Sequence, residues 1–206
     1  MQSNALSAEF REEILATRGV EDRRGASRIR AVLFVVRVVR DGDAGLFRMQ
    51  NLSDSGLLIV AHVEFAAGER VSISLLEDLT VRGTVMWYDG HKCGIRFDWP
   101  IDSEAVLRAG AERRTDRRGR AMRLPAARLA TSYAENGIRP VRITDVSQGG
   151  VGFKHDGTFR PGMFVKFILE GGTERSGVVR WAEDRHGGVY LVEPLNCREL
   201  QSVRDL

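Results

Sequence analysis

The chain repeats itself at a constant offset of 94 residues, without a gap, and this repeat limits the folds that are open to it. The tetrapeptide DRRG occurs at residues 22–25 and again at residues 116–119. Most of the other identities fall on residues with special backbone or packing roles. They include the pairs Ser53/Ser147, Gly56/Gly150, Gly68/Gly162, Gly83/Gly177, Trp87/Trp181, Gly94/Gly188 and Pro100/Pro194. Agreement at so many such positions indicates two copies of one domain.

The length of the repeat predicts the domain organisation. A unit of 94 residues is too long for one repeat of a solenoid and has the size of a small domain. We therefore predict a first domain over residues 18–110 and a second domain over residues 111–206. An N-terminal helix or tail over residues 1–17 precedes them, and Phe10, Ile14 and Leu15 would form the apolar side of a short amphipathic helix in this part.

The composition is that of a soluble globular protein, with 43% hydrophobic and 29% charged residues. The longest apolar run, residues 31–36, is far too short to span a bilayer, so we expect no membrane insertion. Acidic residues near the N-terminus stand where a signal peptide would be basic, which predicts a cytoplasmic protein. Cys93 and Cys197 lie at non-equivalent positions of the two copies, which argues against a disulfide framework and against a zinc site.

Each copy contains six short segments that are rich in β-branched residues and separated by turns with glycine. They are residues 31–39, 46–52, 56–62, 70–76, 80–89 and 92–99 in the first copy, and residues 124–132, 140–146, 150–156, 163–169, 174–184 and 187–194 in the second. Such regular spacing favours a closed or nearly closed antiparallel barrel. Each copy then ends in a helix-like segment that starts at a potential N-cap, Asp102 or Asn196. The predicted fold class is mainly β, with two six-stranded antiparallel β-barrels in tandem, each followed by a short helix.

Two polar features repeat together with the strands. The turn between the second and third segments reads NLSDSG at residues 51–56 and DVSQGG at residues 145–150. An arginine cluster precedes the first strand of each copy, at residues 23–30 and 113–128. Such a turn alone is typical of an ordinary loop, and an arginine run alone is typical of a solvated linker. Here the two features occur together, in the same order, in both copies.

An arginine cluster followed by a six-stranded barrel with a [D/N]-x-S-x-x-G turn resembles the PilZ domain, whose motifs are R-x-x-x-R and D/N-x-S-x-x-G. The resemblance covers both copies and implies that the chain binds the bacterial messenger cyclic di-GMP. The R-x-x-x-R pattern fits once in the first copy, as Arg24/Arg28, and twice in the second, as Arg113/Arg117 or Arg114/Arg118. The ligand-binding residues that the resemblance implies are Arg23, Arg24, Arg28, Asn51, Ser53 and Gly56 in the first copy and Arg113, Arg114, Arg117, Arg118, Asp145, Ser147 and Gly150 in the second.

The chemistry of these residue types suits a ligand with two phosphate charges and two guanines. The planar guanidinium of arginine donates bidentately to phosphate oxygens or to the O6 and N7 edge of guanine. An aspartate or asparagine accepts from guanine N1–H or N2–H₂, and a serine hydroxyl donates to phosphate or fixes the turn. Arg24 and Arg118 are equivalent by the offset. In the R-x-x-x-R pattern, however, Arg24 pairs with a residue four positions later, Arg28, whereas Arg118 pairs with one four positions earlier, Arg114, so the two copies differ. The denser arginine cluster favours binding by the second copy.

The sequence shows no catalytic constellation, because its four histidines lack ligand-like spacing and no phosphate-loop or nucleophile motif is present. We therefore expect a non-catalytic receptor without cofactor or metal, which signals by rearranging its domains or by exposing a surface to a downstream protein partner. The alternative is a protein-interaction adaptor of PilZ fold that does not bind the nucleotide. Binding to a nucleic-acid polymer is disfavoured, because the net charge is only +3 and few aromatic residues accompany the arginines.

Overall fold

The structure is a computed structural model that describes residues 34–115, 121–169 and 172–205. Two closed barrels of six antiparallel strands follow one another along the chain. This confirms the mainly β fold class with two tandem barrels. The helix predicted within residues 1–17 lies outside the described residues.

The first barrel consists of strands β1 (Phe34–Arg40), β2 (Asp43–Ser53), β3 (Gly56–Val60), β4 (Arg70–Ser74), β5 (Thr80–Tyr88) and β6 (Lys92–Phe97). Around the barrel the strands follow the order β1, β2, β3, β6, β5, β4, and the pairing of β1 with β4 closes the sheet. Side chains alternate between the two faces of each strand. In β1, for example, Val36 and Val38 are buried in the core, whereas Val39 is exposed outside.

The second barrel repeats this topology with strands β7 (Leu124–Ala134), β8 (Gly137–Ser147), β9 (Gly150–Lys154), β10 (Phe164–Leu169), β11 (Glu174–Glu183) and β12 (His186–Leu191). Its order is β7, β8, β9, β12, β11, β10, and β7 pairs with β10 to close it. Predicted and observed strands correspond one to one, with ends that differ by a few residues. Strand β8 starts earlier than predicted because Gly137, with a φ of 96°, closes a tight turn directly after β7.

Helix α1 (Ser103–Thr115) follows the first barrel, as predicted. Asp102 is its N-cap, since Oδ1 of Asp102 accepts a hydrogen bond from the N–H of Ala105 at 2.8 Å. Asp54, in the turn between β2 and β3, accepts from the hydroxyl of Ser103 at 2.6 Å and from its N–H at 3.0 Å. These two bonds hold the pKa of the Asp54 carboxyl below its ordinary value. They also fix the start of the helix against the polar turn of the first domain.

Replacing Asp102 removes this N-cap. We expect Asp102→Ala to lower the free energy of unfolding by about 1 kcal/mol, the usual cost of losing an N-cap acceptor. Glu104→Ala, in the exposed first turn of the same helix, is the matched control and should cost clearly less. Urea unfolding followed by circular dichroism measures both variants. Equal losses would show that the Asp102 side chain does not cap the helix.

The structure corrects the second predicted helix, at residues 196–206. The described part of this segment forms turns instead. Asn196 does behave as a cap, because its Oδ1 accepts from two backbone N–H groups of the following turn. The helix does not continue, because the backbone that follows bonds to the first barrel. The carbonyl of Leu200 accepts from the N–H of Leu46 in β2 at 2.7 Å.

The two domains pack against each other through the outer face of β2. Leu46 is fully buried, yet it belongs to the hydrophobic cluster of the second domain, whereas its neighbour Phe47 points into the first barrel. The partly buried Val35 and Ala44 of the first domain pack against the same cluster. Residues of the first domain therefore complete the core of the second.

No helix in the described part of the chain is long and apolar enough to cross a membrane. No group of three His, Cys, Asp or Glu side chains in that part could hold a metal ion. Cys93 and Cys197 are both free, and burial raises the pKa of Cys93 to about 12, so that this thiol stays protonated at neutral pH.

Candidate functional site

Each barrel presents its repeated polar turn between its second and third strands. In the second domain the Ser147 hydroxyl donates to the carbonyl of Gly150 at 3.2 Å. In the first domain the Ser53 hydroxyl donates to the carbonyl of Gly56 at 3.1 Å. Both serines are buried. In the structure, the serine of each turn therefore fixes the turn itself.

The first residue of the second domain's turn starts a row of four neighbours on the outside of the barrel. Asp145 is the strand partner of Gly152 in β9. Gly152 is in turn paired with Gly188 in β12, and Gly188 is paired with Trp181 in β11. We call these four residues the Asp145 row. A β-bulge lies at each end of the row, one directly before Asp145 and one directly before Trp181. Bulges of this kind re-aim side chains and are common beside functional sites.

The two glycines of the Asp145 row allow the outer side chains to lie flat on the sheet. A Cβ atom on Gly188 would lie 2.1 Å from the indole nitrogen of Trp181, and one on Gly152 would lie 2.1 Å from Oδ2 of Asp145. Neither position has room for a side chain unless its neighbour moves. The row is therefore a shallow face with a carboxylate at one end and a partly exposed indole at the other.

The first domain has the equivalent row with two changes. Asn51, Leu58, Gly94 and Trp87 are neighbours in the same order, and we call them the Asn51 row. An amide replaces the carboxylate, and Leu58 stands where the second domain has Gly152. A groove of about 210 Å³ lies along this row. Oδ1 of Asn51 is buried and has no hydrogen-bond partner among the described residues.

Two arginine side chains lie beside the Asp145 row. Nη1 of Arg123 forms an ion pair with Oδ1 of Asp145. Arg180 of β11 lies over the ring of Tyr190, with 5.6 Å between its Cζ atom and the ring centroid. Tyr190 is in turn the strand partner of Gly150, the last residue of the polar turn. The second domain therefore has one arginine in contact with its carboxylate, and a second arginine with an exposed aromatic ring opposite the end of the polar turn.

Neither Arg123 nor the Arg180–Tyr190 pair is among the residues that the sequence motifs predict. Arg123 belongs to the arginine cluster, but neither register of the R-x-x-x-R pattern includes it. A signal was nevertheless present, because Arg123 directly precedes β7, and Pro125 of β7 is the strand partner of Asp145. A residue two positions before that partner lies within reach of the carboxylate.

The structure places Arg113 away from the Asp145 turn. Arg113 lies near the end of α1, and its guanidinium donates to both carboxylate oxygens of Asp78, each at 2.8 Å. Asp78 belongs to the turn between β4 and β5 of the first domain, and these bonds lower its pKa. The backbone of Arg114 also belongs to α1. The other predicted arginines, Arg23, Arg24, Arg28, Arg117 and Arg118, lie outside the described residues.

Comparison with protein families decides what kind of domain these barrels are. The family model of the PilZ domain matches residues 22–110 and residues 112–203, which together make up most of the chain. The chain belongs to the PilZ family. Each match contains one complete barrel with its polar turn, so the protein has two PilZ domains.

Three solved structures are among those to which this PilZ protein is similar. PlzA of Borreliella burgdorferi, in complex with c-di-GMP, is 10% identical over 91% of this chain and 93% of its own, with a TM-score of 0.37. MrkH of K. pneumonia, in complex with c-di-GMP, is 12% identical over 92% and 84%, with a TM-score of 0.29. YcgR of Escherichia coli, in complex with c-di-GMP, is 12% identical over 79% and 76%, with a TM-score of 0.28. No curated protein matches the chain in sequence.

The two PilZ domains have diverged on the outer face beside their rows. In the second domain Phe164 and Tyr190 are large apolar residues that are more than half exposed. The equivalent positions of the first domain, 94 residues earlier, are Arg70 and Arg96, and Arg70 forms a bidentate ion pair with Asp98. The same barrel thus accepts charged or aromatic residues at these positions. The exposed rings of the second domain are therefore not a requirement of the fold.

Proposed function

We propose that this PilZ protein is a non-catalytic receptor for cyclic di-GMP and that its second domain holds the main binding site. PilZ proteins are generally receptors or effectors rather than enzymes. The composition of the Asp145 row is the observation that best supports the choice of the second domain. Its row offers a carboxylate, Asp145, next to a cation, Arg123, on a face that two glycines keep open.

The Asp145 carboxylate is suited to guanine. Its two oxygens can accept two parallel hydrogen bonds, and guanine N1–H and N2–H₂ are two donors side by side. In the structure one of these oxygens is paired with Arg123, and the other accepts from the hydroxyl of Thr144 at 3.0 Å. When guanine replaces Arg123 as the hydrogen-bond partner of the carboxylate, the Arg123 guanidinium becomes available to bind a phosphate of the same ligand. The ion pair therefore keeps both groups in place for binding.

The exposed rings support stacking of a base. Tyr190 is 56% exposed and Trp181 is 43% exposed. They lie on β12 and β11, on either side of the bulge that precedes Trp181. Stacking of a base on an aromatic side chain contributes about 1–3 kcal/mol. Arg180, which lies over the Tyr190 ring, supplies a second cation for the phosphates.

The arginine cluster is connected directly to this face. Residues 116–123 join α1 to the start of β7, which pairs with β8 beside Asp145. An extended chain spans about 3.3 Å per residue, so Arg118 can lie up to about 20 Å from the first residue of β7. We assign phosphate binding to Arg114 and Arg118. The alternative pair that starts at Arg113 is disfavoured, because Asp78 already holds that guanidinium.

In the first domain, Asn51, Ser53 and Gly56 are proposed to form a weaker site of the same kind. The amide of Asn51 has one acceptor oxygen, which is buried in the structure, whereas a carboxylate has two acceptor oxygens. Leu58 also covers the middle of the row where the second domain has only backbone. Both differences favour the second domain.

Isothermal titration of the full chain with cyclic di-GMP tests the proposal. GTP controls for the guanine base alone, and cyclic di-AMP controls for the cyclic dinucleotide without guanine. Micromolar or tighter binding that is specific for cyclic di-GMP would support the receptor. Absence of heat and of competition at high ligand concentration would favour the adaptor that does not bind the nucleotide.

Gly152→Ala tests whether the open face is needed. The new methyl group would lie 2.1 Å from Oδ2 of Asp145, so the carboxylate must turn away from its present position. We expect the Kd for cyclic di-GMP to rise about tenfold, which corresponds to about 1.4 kcal/mol. The matched control, Leu58→Ala, changes the equivalent position of the first domain and should leave this Kd within about twofold. Equal effects of the two substitutions would contradict the assignment to the second domain.

A further inference from the structure

The barrel of the first domain is closed, but the first part of β2 extends beyond β3 and has an unpaired edge there. Strand β3 pairs with β2 only between Arg48 and Ser53, so the earlier part of β2, residues 43–47, has β1 as its single partner among the described strands. Such edges expose unpaired N–H and C=O groups and favour pairing with another chain. In this protein the last residues of the second domain, 195–205, cover the edge. We call these residues the C-terminal segment.

The C-terminal segment bonds to the β2 edge through its backbone. The N–H of Leu46 donates to the carbonyl of Leu200 at 2.7 Å, and the N–H of Val203 donates to the carbonyl of Ala44 at 2.9 Å. Leu200 is also fully buried, in the same cluster as Leu46. The segment therefore satisfies polar groups of the edge and covers its apolar side chain at the same time.

Gln201 makes the most specific contact of the C-terminal segment. It is only 3% exposed. Its Oε1 accepts from the N–H of His62 at 2.5 Å, and its Nε2 donates to the carbonyl of Val60 at 3.2 Å. Gly45 leaves room for this approach, because a Cβ atom there would lie 2.1 Å from the Gln201 carbonyl oxygen. One side chain of the second domain thus bridges to the end of β3 in the first.

The other end of the C-terminal segment is bonded to the polar turn of the second domain. The N–H of Leu195 donates to the carbonyl of Gln148 at 2.7 Å. Nε2 of Gln148 donates to Sγ of Cys197 at 3.4 Å. Gln148 lies in the middle of the turn that begins at Asp145. The same short segment therefore contacts the proposed nucleotide site at one end and the first barrel at the other.

We propose that the C-terminal segment transmits occupancy of the second domain's site to β2 of the first domain, an inference that rests on the proposed function. A ligand bound at Asp145 restricts the turn and with it the anchor at Gln148. The segment then loses less conformational entropy when it docks on β2, so binding tightens the docked state. By reciprocity, docking of the segment strengthens ligand binding by the same factor.

Hydrogen exchange of the full chain, with and without saturating cyclic di-GMP, tests this inference. The amides of Leu46 and His62 report on docking, because their acceptors belong to the C-terminal segment. We expect the ligand to slow exchange at both amides by about fivefold or more, the lower end of usual allosteric couplings. Calorimetry on the same sample measures ligand binding independently.

Gln201→Ala removes both side-chain bonds to the first barrel. We expect about fivefold weaker ligand binding and no ligand-dependent slowing at Leu46, whose own acceptor is the unchanged backbone of Leu200. Asp205→Ala changes an exposed residue of the same segment and should behave as the unmodified chain. The measurement on the unmodified chain decides the question even if Gln201→Ala does not fold.

The outcomes separate the two proposals. Calorimetric binding with unchanged exchange at Leu46 and His62 would overturn the transmission but leave the receptor standing. Absence of calorimetric binding would overturn the receptor and this regulation together. Slowing at Leu46 that persists in a folded Gln201→Ala variant would overturn the role of the Gln201 side chain in this transmission.

Discussion

Asp145→Ala is expected to raise the Kd for cyclic di-GMP about 100-fold, which corresponds to about 2.7 kcal/mol. The substitution removes both proposed acceptors for guanine. It also leaves the guanidinium of Arg123 without its carboxylate partner. Hydrogen bonds to charged groups contribute about 1.5–3 kcal/mol each, so the loss of one or two accounts for the expected change. Isothermal titration of the full chain measures it.

Two further variants distinguish a loss of ligand recognition from a loss of folding. Asp145→Asn keeps the shape of the side chain and one acceptor, so we expect a rise in Kd of only about tenfold. Asn51→Ala, at the equivalent position of the first domain, should change the Kd less than about threefold. If Asn51→Ala abolished binding while Asp145→Ala did not, the main site would lie in the first domain.

The barrels could be predicted from the sequence because the repeat marks positions that tolerate few residue types. Gly94 and Gly188 recur at the fixed offset because each lies directly under an indole ring. Trp87 and Trp181, which provide those rings, recur with them. Two residues that pack closely on neighbouring strands are thus both conserved between the two copies of the repeat, and this is visible in the sequence before the strand pairing is known.

The candidate site could be predicted only in part. The polar turn is a local motif, so its residues follow from a short stretch of sequence. The approach of Arg123 to Asp145 depends on the pairing of β7 with β8, and in the sequence Arg123 is one of seven arginines between residues 113 and 128. Arg113 fits the R-x-x-x-R pattern equally well, but in the structure it contacts Asp78 of the other domain.

The course of the C-terminal segment could not be predicted, because its partners lie in the first domain. Asn196 stands at the position equivalent to Asp102, so the repeat predicted a second helix. The first domain continues into α1 after that position. After the second domain, the open edge of β2 offers backbone partners instead, and the chain from Leu200 onward bonds to them. The alternation of apolar residues along the strands of one barrel predicts the core of that barrel, but it does not predict a contact between the C-terminal segment and β2 of the other domain.

Leu46→Ala is expected to lower the free energy of unfolding by about 3 kcal/mol, within the usual range for a buried leucine. Leu46 points away from the interior of its own barrel, where an isolated PilZ domain would expose it. Here it is fully buried in the hydrophobic cluster of the second domain. Truncation leaves a cavity between two barrels that are each closed by their own strand pairing, so neither collapses easily to fill it.

Leu129→Ala is the matched control, because Leu129 lies on the outside of β7 and is 49% exposed. We expect it to cost less than about 1 kcal/mol. Urea unfolding of both variants measures the difference, and a single transition is expected because Leu46 connects the two cores. A loss at Leu46 no larger than the loss at Leu129 would show that the domains do not pack through β2. The C-terminal segment would then lack the apolar contact that holds it on the β2 edge.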